Sequence, residues 1–229
     1  MKLIPAGGSP RMQRALSHGY VRTIIHIMLQ HRSLWKVVAR LLRKYERYSQ
    51  SGFVEALESL RLNQSYLNAA EDTLTPPYII ELTQTLHHLY QQPNEDIKYL
   101  RGAIVELFTY ELVRPRYKPG ECLSNQRFLD ERGRAITDQV DVAALSREKF
   151  QVEGYECKLK VDGIESSDCT NLVYLTDAAQ ERSYYTNVGI ISFDDSSRYM
   201  QRKLARLQPD ARIQLYGLDS IALLELSPF

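Results

Sequence analysis

No histidine follows His88 in this chain of 229 residues. The five that exist, His18, His26, His31, His87 and His88, lie in its first part, so a histidine base or a histidine zinc site is not expected beyond them. The adjacent pair His87-His88 reads as decoration of a helix, because neighbouring helical residues point in different directions. Cysteine is also scarce: Cys122, Cys157 and Cys169 form no Cys-x-x-Cys pair, which excludes a disulfide framework or a cysteine zinc site and points to a reducing, cytoplasmic setting. Long apolar runs are missing. The opening "MKLIPAGGSPRMQR" has no signal-type apolar core and "VRTIIHIMLQH" is too short to span a bilayer, so a soluble protein without a membrane partner is expected. There is no Gly-x-Ser-x-Gly elbow, no phosphate-binding P-loop, no internal repeat and no low-complexity tract.

Acid is nearly absent from the first fifty residues, which hold ten Lys or Arg against the single Glu46. The net charge of +1 therefore conceals a basic front and an acidic remainder. Such polarity suggests contact with a polyanion, or a docking surface for the acidic part of a second copy. With 44% hydrophobic residues the chain can bury a core, as one large domain or two modest ones.

Periodicity divides the chain. Residues 1–92 are expected to form a basic helical domain for nucleic acid or dimerisation, with helical spacing from about Arg11 to Gln92. In "SLWKVVARLLRKYERY", Leu34, Val38, Leu41 and Tyr45 share an apolar face, with Ser33 able to cap the start. Lys36, Arg40, Arg43, Lys44 and Arg47 are placed opposite them, as a basic stripe that can follow a phosphate backbone. Further helices are expected at Phe53 to Leu62 and, after Pro76-Pro77, at Tyr78 to Tyr90.

Residues 93–229 read differently. A helix capped by Asn94 runs to Pro115, followed by three strands near Cys122 to Phe128, Ala135 to Leu145 and Phe150 to Val161. A helix, the buried strand "NVGIISF", a basic helix and the strand "RIQLYGL" complete the order. Strands clustered first and then alternating with helices predict an α/β fold with a mixed sheet flanked by helices.

The stretch "FQVEGYECKLKV" places Glu156 and Lys158 on the same face of a strand. Asp141, separated from Glu156 by fourteen residues, sits in "QVDVAAL", and a hairpin brings the two acids together. Paired carboxylates repel, and a hard cation such as Mg2+ relieves that repulsion. Glu106, on the preceding helix, can supply a third carboxylate. The residues alone also allow a plain exposed strand face whose charges discourage edge pairing. "DIK", Asp96 to Lys98, has the same acid-x-Lys spacing at a helix start, where the acid merely favours the dipole. Asp194 and Asp195, at a strand end, suit caps better than a metal pair.

Taken in order, "RGAIVELFTYEL", "QVDVAAL" and "YECKLK" resemble the signature of the PD-(D/E)xK nuclease superfamily, the restriction-endonuclease-like fold. The resemblance covers about residues 96–217 and says nothing of residues 1–90. It implies a metal-dependent endonuclease, acting on DNA rather than RNA. Asp141, Glu156 and the Cys157 backbone carbonyl would hold Mg2+ or Mn2+, Lys158 would position the water, and Glu106 would bind a second metal or orient the first. Thr170, Asn171 and Tyr174 stand where the family often carries a polar residue on the next helix. The alternative is an inactive nucleic-acid-binding or assembly protein on the same scaffold. A homodimer is the partner state that double-strand cutting would favour.

Overall fold

The computed structural model describes residues 1–62, 76–194, 197–207 and 210–226. It divides into two compact units, one formed by Met1–Ser9 with Val105–Phe229 and the other by Pro10–Ile104.

Every described element between Pro10 and Ile104 is helical. These are α1 (Pro10–Ser17), α2 (Gly19–Gln30), α3 (Trp35–Lys44), α4 (Phe53–Leu62), α5 (Pro77–Tyr90) and the first turns of α6 (Asn94–Val113), with a short 3-10 turn at Arg32–Leu34. Leu34, Val38, Leu41 and Tyr45 are buried, as their helical spacing requires. Ser33 does not cap α3: it lies inside the 3-10 turn, and Leu34 occupies the cap position without a side-chain hydrogen bond. Asn94 is not a cap either, because the Pro93 carbonyl accepts the first helical bond, from the Ile97 N–H at 3.1 Å.

The basic stripe is shorter than its spacing suggested. At Tyr45 the backbone turns extended, the buried ring's hydroxyl donates to the Gly52 carbonyl at 2.9 Å, and the Tyr45 carbonyl accepts from the Tyr90 hydroxyl at 2.7 Å. Those bonds end α3 at Lys44, so Arg47 lies beyond the helix. Lys36, Arg40 and Lys44 are exposed at i, i+4 and i+8, whereas Arg43 is half-buried.

The other unit is α/β. Its six strands are β1 (Lys2–Pro5), β2 (Cys122–Leu129), β3 (Val140–Ser146), β4 (Gln151–Lys158), β5 (Tyr185–Ser192) and β6 (Ile213–Tyr216), adjacent in that order. The pairs from β1 to β4 are antiparallel and those from β4 to β6 parallel. Such a mixed sheet, with α7 (Ser166–Gln180) and α8 (Ser197–Leu207) between its later strands, is compatible with a nuclease-like fold.

Strand β1 corrects the boundary placed at residue 92. Its four residues pair with Pro5 opposite Gln126 and Lys2 opposite Leu129, so the start of the chain belongs to the sheet. The unit boundary also falls inside α6, after Ile104 rather than before Asn94. A four-residue strand next to two glycines carries too few positions to show a period of two.

The sheet core gathers Phe128, Val140, Ala143, Val152, Leu172, Leu175, Val188 and Ile190. At Gly154 a Cβ would stand 2.5 Å from Leu175 Cδ2, so any larger residue here would force that buried side chain to shift.

Candidate active site at the β3–β4 fork

Strand register builds the site. The β3–β4 ladder runs from Ser146 opposite Gln151 to Val142 opposite Tyr155 and stops there, whereas β4 remains paired with β5 as far as Lys158 opposite Ser192. Asp141 and Glu156 are thus the first residues past the last β3–β4 pair, on two strands that part. Hydrogen bonding across the gap passes from backbone to side chain: the Cys157 N–H donates to Asp141 Oδ2 at 2.8 Å. A strand residue turns its N–H and C=O to the same edge, so the Cys157 carbonyl also faces the fork.

Glu156 is buried, with 4% of its surface exposed, and among the described residues its Oε1 has no hydrogen-bond partner. Burial, then the neighbouring Asp141 charge, holds its carboxyl well above the ordinary range despite the opposing pull of Lys158. The half-buried Asp141 is raised by burial too, offset by the Cys157 N–H and Lys158. Glu106, 2% exposed on α6, is held well above its ordinary value by burial and then by the Asp141 charge. One of its oxygens accepts from the Asn125 amide.

Lys158 does not point at the two carboxylates alone. Its Nζ donates to Asp168 Oδ1 at 2.8 Å, in an ion pair whose side chains are 24% and 11% exposed. Burial works most strongly against its charge, but the Asp168 bond and the charges of Asp168, Asp141 and Glu156 together outweigh it and hold the ammonium above its ordinary pKa. Asp168 has a second task. Its Oδ2 accepts from the Glu165 N–H at 2.8 Å, within the reciprocal capping box that starts α7.

The site's chemistry suits a hard divalent cation. An orphaned carboxylate oxygen, a second carboxylate beside it and a carbonyl turned to the same gap are oxygen donors, and Mg2+ typically takes one or two carboxylates and keeps several waters. Among the described residues no three His, Cys, Asp or Glu side chains stand together in metal-binding range. Glu106 is therefore coupled to Asp141 by charge without forming a three-carboxylate cluster with Asp141 and Glu156.

No family model and no curated protein matches the sequence. Among solved structures, protein VC1899 from Vibrio cholerae is similar at 17% identity and a TM-score of 0.40, over 98% of this chain and 56% of that one. Can2 from Sulfobacillus thermosulfidooxidans, solved in complex with cyclic tetra-adenylate, is similar at 13% identity and a TM-score of 0.36, over 83% of this chain and 51% of that one. The chain spans about half the length of these two proteins. Similarity this distant carries no chemistry.

The exposed strand face that the residues alone allowed does not exist. Strand β4 has neighbours on both sides, and Glu153 and Glu156, on its opposite faces, are both buried. Of the three polar residues on α7, Asn171 pins the approach to β3, with its Oδ1 accepting the Asp138 N–H at 3.2 Å and its Nδ2 donating to the Gln139 carbonyl at 3.4 Å. Thr170 bonds back to the Ser166 carbonyl of its own helix, and Tyr174 is exposed. Asp194 accepts the Val161 N–H at 2.6 Å, a backbone role, while Asp195 lies outside the described residues. Sequence reading missed Asp168, although an acid three residues after Glu165 at a helix start was a legible capping signal. It also missed Asn125 and Gln139, which no motif marks.

Among the described residues, no helix is long and apolar enough to cross a membrane.

Proposed function

We propose that this protein is a metal-dependent phosphodiesterase that cleaves nucleic acid within the strand, with DNA the substrate implied by the sequence resemblance. The observation that carries the reading is the orphaned, buried Glu156 Oε1 beside Asp141 at the strand fork. Leaving a buried carboxylate oxygen unsatisfied is costly, and a cation held there turns that cost into binding.

In this reading Asp141, Glu156 and the Cys157 carbonyl hold Mg2+ or Mn2+. The cation, when bound, makes water more acidic and stabilises charge on a phosphoryl oxygen. The Cys157 N–H fixes the Asp141 carboxylate so that its free lone pairs face the fork. Lys158 orients the attacking water and offsets developing negative charge, and Asp168 holds its ammonium protonated and in place. Glu106 orients the same ligand shell from α6, through its charge coupling to Asp141. Lys36, Arg40 and Lys44, with Arg43 and Arg47, supply phosphate contacts from the helical unit.

Supercoiled plasmid with Mg2+ or Mn2+, against an EDTA control, tests the activity. Asp141→Ala and Glu156→Ala should each abolish cleavage and leave DNA binding intact, and Lys158→Ala should slow cleavage by about 10²- to 10³-fold with metal still bound. If both acidic variants cut at the wild-type rate, the site is elsewhere. Tight DNA binding without cleavage by the wild type would establish the non-catalytic scaffold instead.

A further inference from the structure

We propose that Asn125 and Gln139 are positioning residues for this site. Their side-chain amides bridge Glu106 to Asp141 and fix how the two carboxylates face each other. The inference rests on the phosphodiesterase reading and adds to it two residues that no acid-x-Lys pattern includes.

Register places Asn125 opposite Asp141, between the pairs Ser124–Val142 and Gln126–Val140. Asp141 in turn lies one position past the last β3–β4 pair, as does Glu156 on β4, so Asn125 stands on the far side of Asp141 from the fork. Asn125 has φ of 53°, in the left-handed region that asparagine tolerates better than most residues. A strand residue kept in that conformation needs surroundings that determine it. Here they do: Asn125 Nδ2 donates to Glu106 Oε1, and its Oδ1 accepts from Gln139 Nε2 at 2.6 Å.

The same Gln139 Nε2 lies 3.4 Å from Asp141 Oδ1, while Asp141 Oδ2 takes the Cys157 N–H. Both Asp141 oxygens are thereby oriented by amide donors. Each of two carboxylates that repel one another receives an N–H from the same neutral bridge. Gln139 is itself held from behind, since its carbonyl accepts from Asn171. Gly8 closes the other side: a Cβ there would stand 3.0 Å from Gln139 Oε1 and 3.2 Å from Asn125 Oδ1. The segment after β1 therefore passes against the bridge, and glycine leaves the amides their space.

Three variants test the bridge in different ways. Gln139→Met keeps the volume and removes the donor, Asn125→Asp keeps the left-handed backbone and turns a donor into an acceptor, and Gly8→Ala crowds both amides without deleting either. Mn2+ affinity would be measured by calorimetry, kcat and KM on plasmid, and melting temperature by circular dichroism. Partners that orient metal ligands typically change affinity or activity by about 10- to 100-fold. The expected result is a loss of that size in Mn2+ affinity and kcat for Gln139→Met and Asn125→Asp, with KM for DNA unchanged, and a smaller loss for Gly8→Ala. A wild type that binds Mn2+ and cuts, with variants that differ only in melting temperature, would overturn the bridge and leave the phosphodiesterase reading standing. A wild type that neither binds Mn2+ nor cuts would overturn both.

Discussion

Glu106 and Glu156 are two buried carboxyls held above their ordinary range by burial and by the same neighbour, Asp141. The sign of the linkage follows. In the unfolded chain a glutamate titrates near 4.5, so the folded state binds more protons than the unfolded state above that pH. The stabilising effect of the neutral carboxyls is complete below the unfolded value and is lost as pH rises through the raised folded values. Metal-free protein in EDTA should therefore melt at falling temperature from about pH 5 to 8, and Mg2+ should reverse the trend because it binds the ionised forms. Glu156→Gln should flatten the EDTA series. A melting temperature that rises with pH in EDTA would contradict the burial that sets these groups.

At the scale of elements, α3 is the segment whose charge has a direction. Its apolar face is buried and Lys36, Arg40 and Lys44 form the exposed row, so these three, rather than Arg47, test phosphate contact by the helix. Each lost contact should lower the salt slope of binding by about 0.9 for duplex or 0.7 for single-stranded DNA. Sequence preference should not change, because phosphate contacts carry no base information. Replacing all three with Gln keeps helix propensity. DNA affinity over a series of salt concentrations gives the answer, and an unchanged slope would mean that the row faces solvent or a second copy. The same element shows where sequence reading stopped. Its apolar period was legible, but its end was not, since that is set by hydroxyl bonds from Tyr45 and from the distant Tyr90.

Over the whole molecule, the described residues hold this one fork, and under the proposed function a single fork would cut one strand at a time. Nicked plasmid should therefore precede linear plasmid. If two copies act together, the rate of linearisation should rise with the square of protein concentration, whereas nicking should rise linearly. Linear product that appears first, with a linear concentration dependence, would exclude independent single-strand cuts. The legible part of this molecule was local: the β3–β4 hairpin, the strand and helix order after it, and the placing of Asp141 and Glu156 on adjacent strands. These show in sequence because period and spacing act over a few residues. Asn125, Gln139 and β1 did not show, because their roles depend on pairings between separate elements. Lys2 meets Leu129 across more than half the chain, with the whole helical unit between them.

That separation has a consequence for the order of assembly. Lys2–Pro5 are made before the entire segment Pro10–Ile104, yet their one strand neighbour among the described residues is β2, which emerges after it. The helical unit has its own core and is free to fold in the interval, so the early strand waits as an unpaired guest until the sheet arrives. Closing so long a loop is slow compared with local pairing. When β1 docks on β2, it brings Gly8 against Gln139 and Asn125, so the surroundings of these two amides are completed by a segment from the far side of the helical unit in sequence.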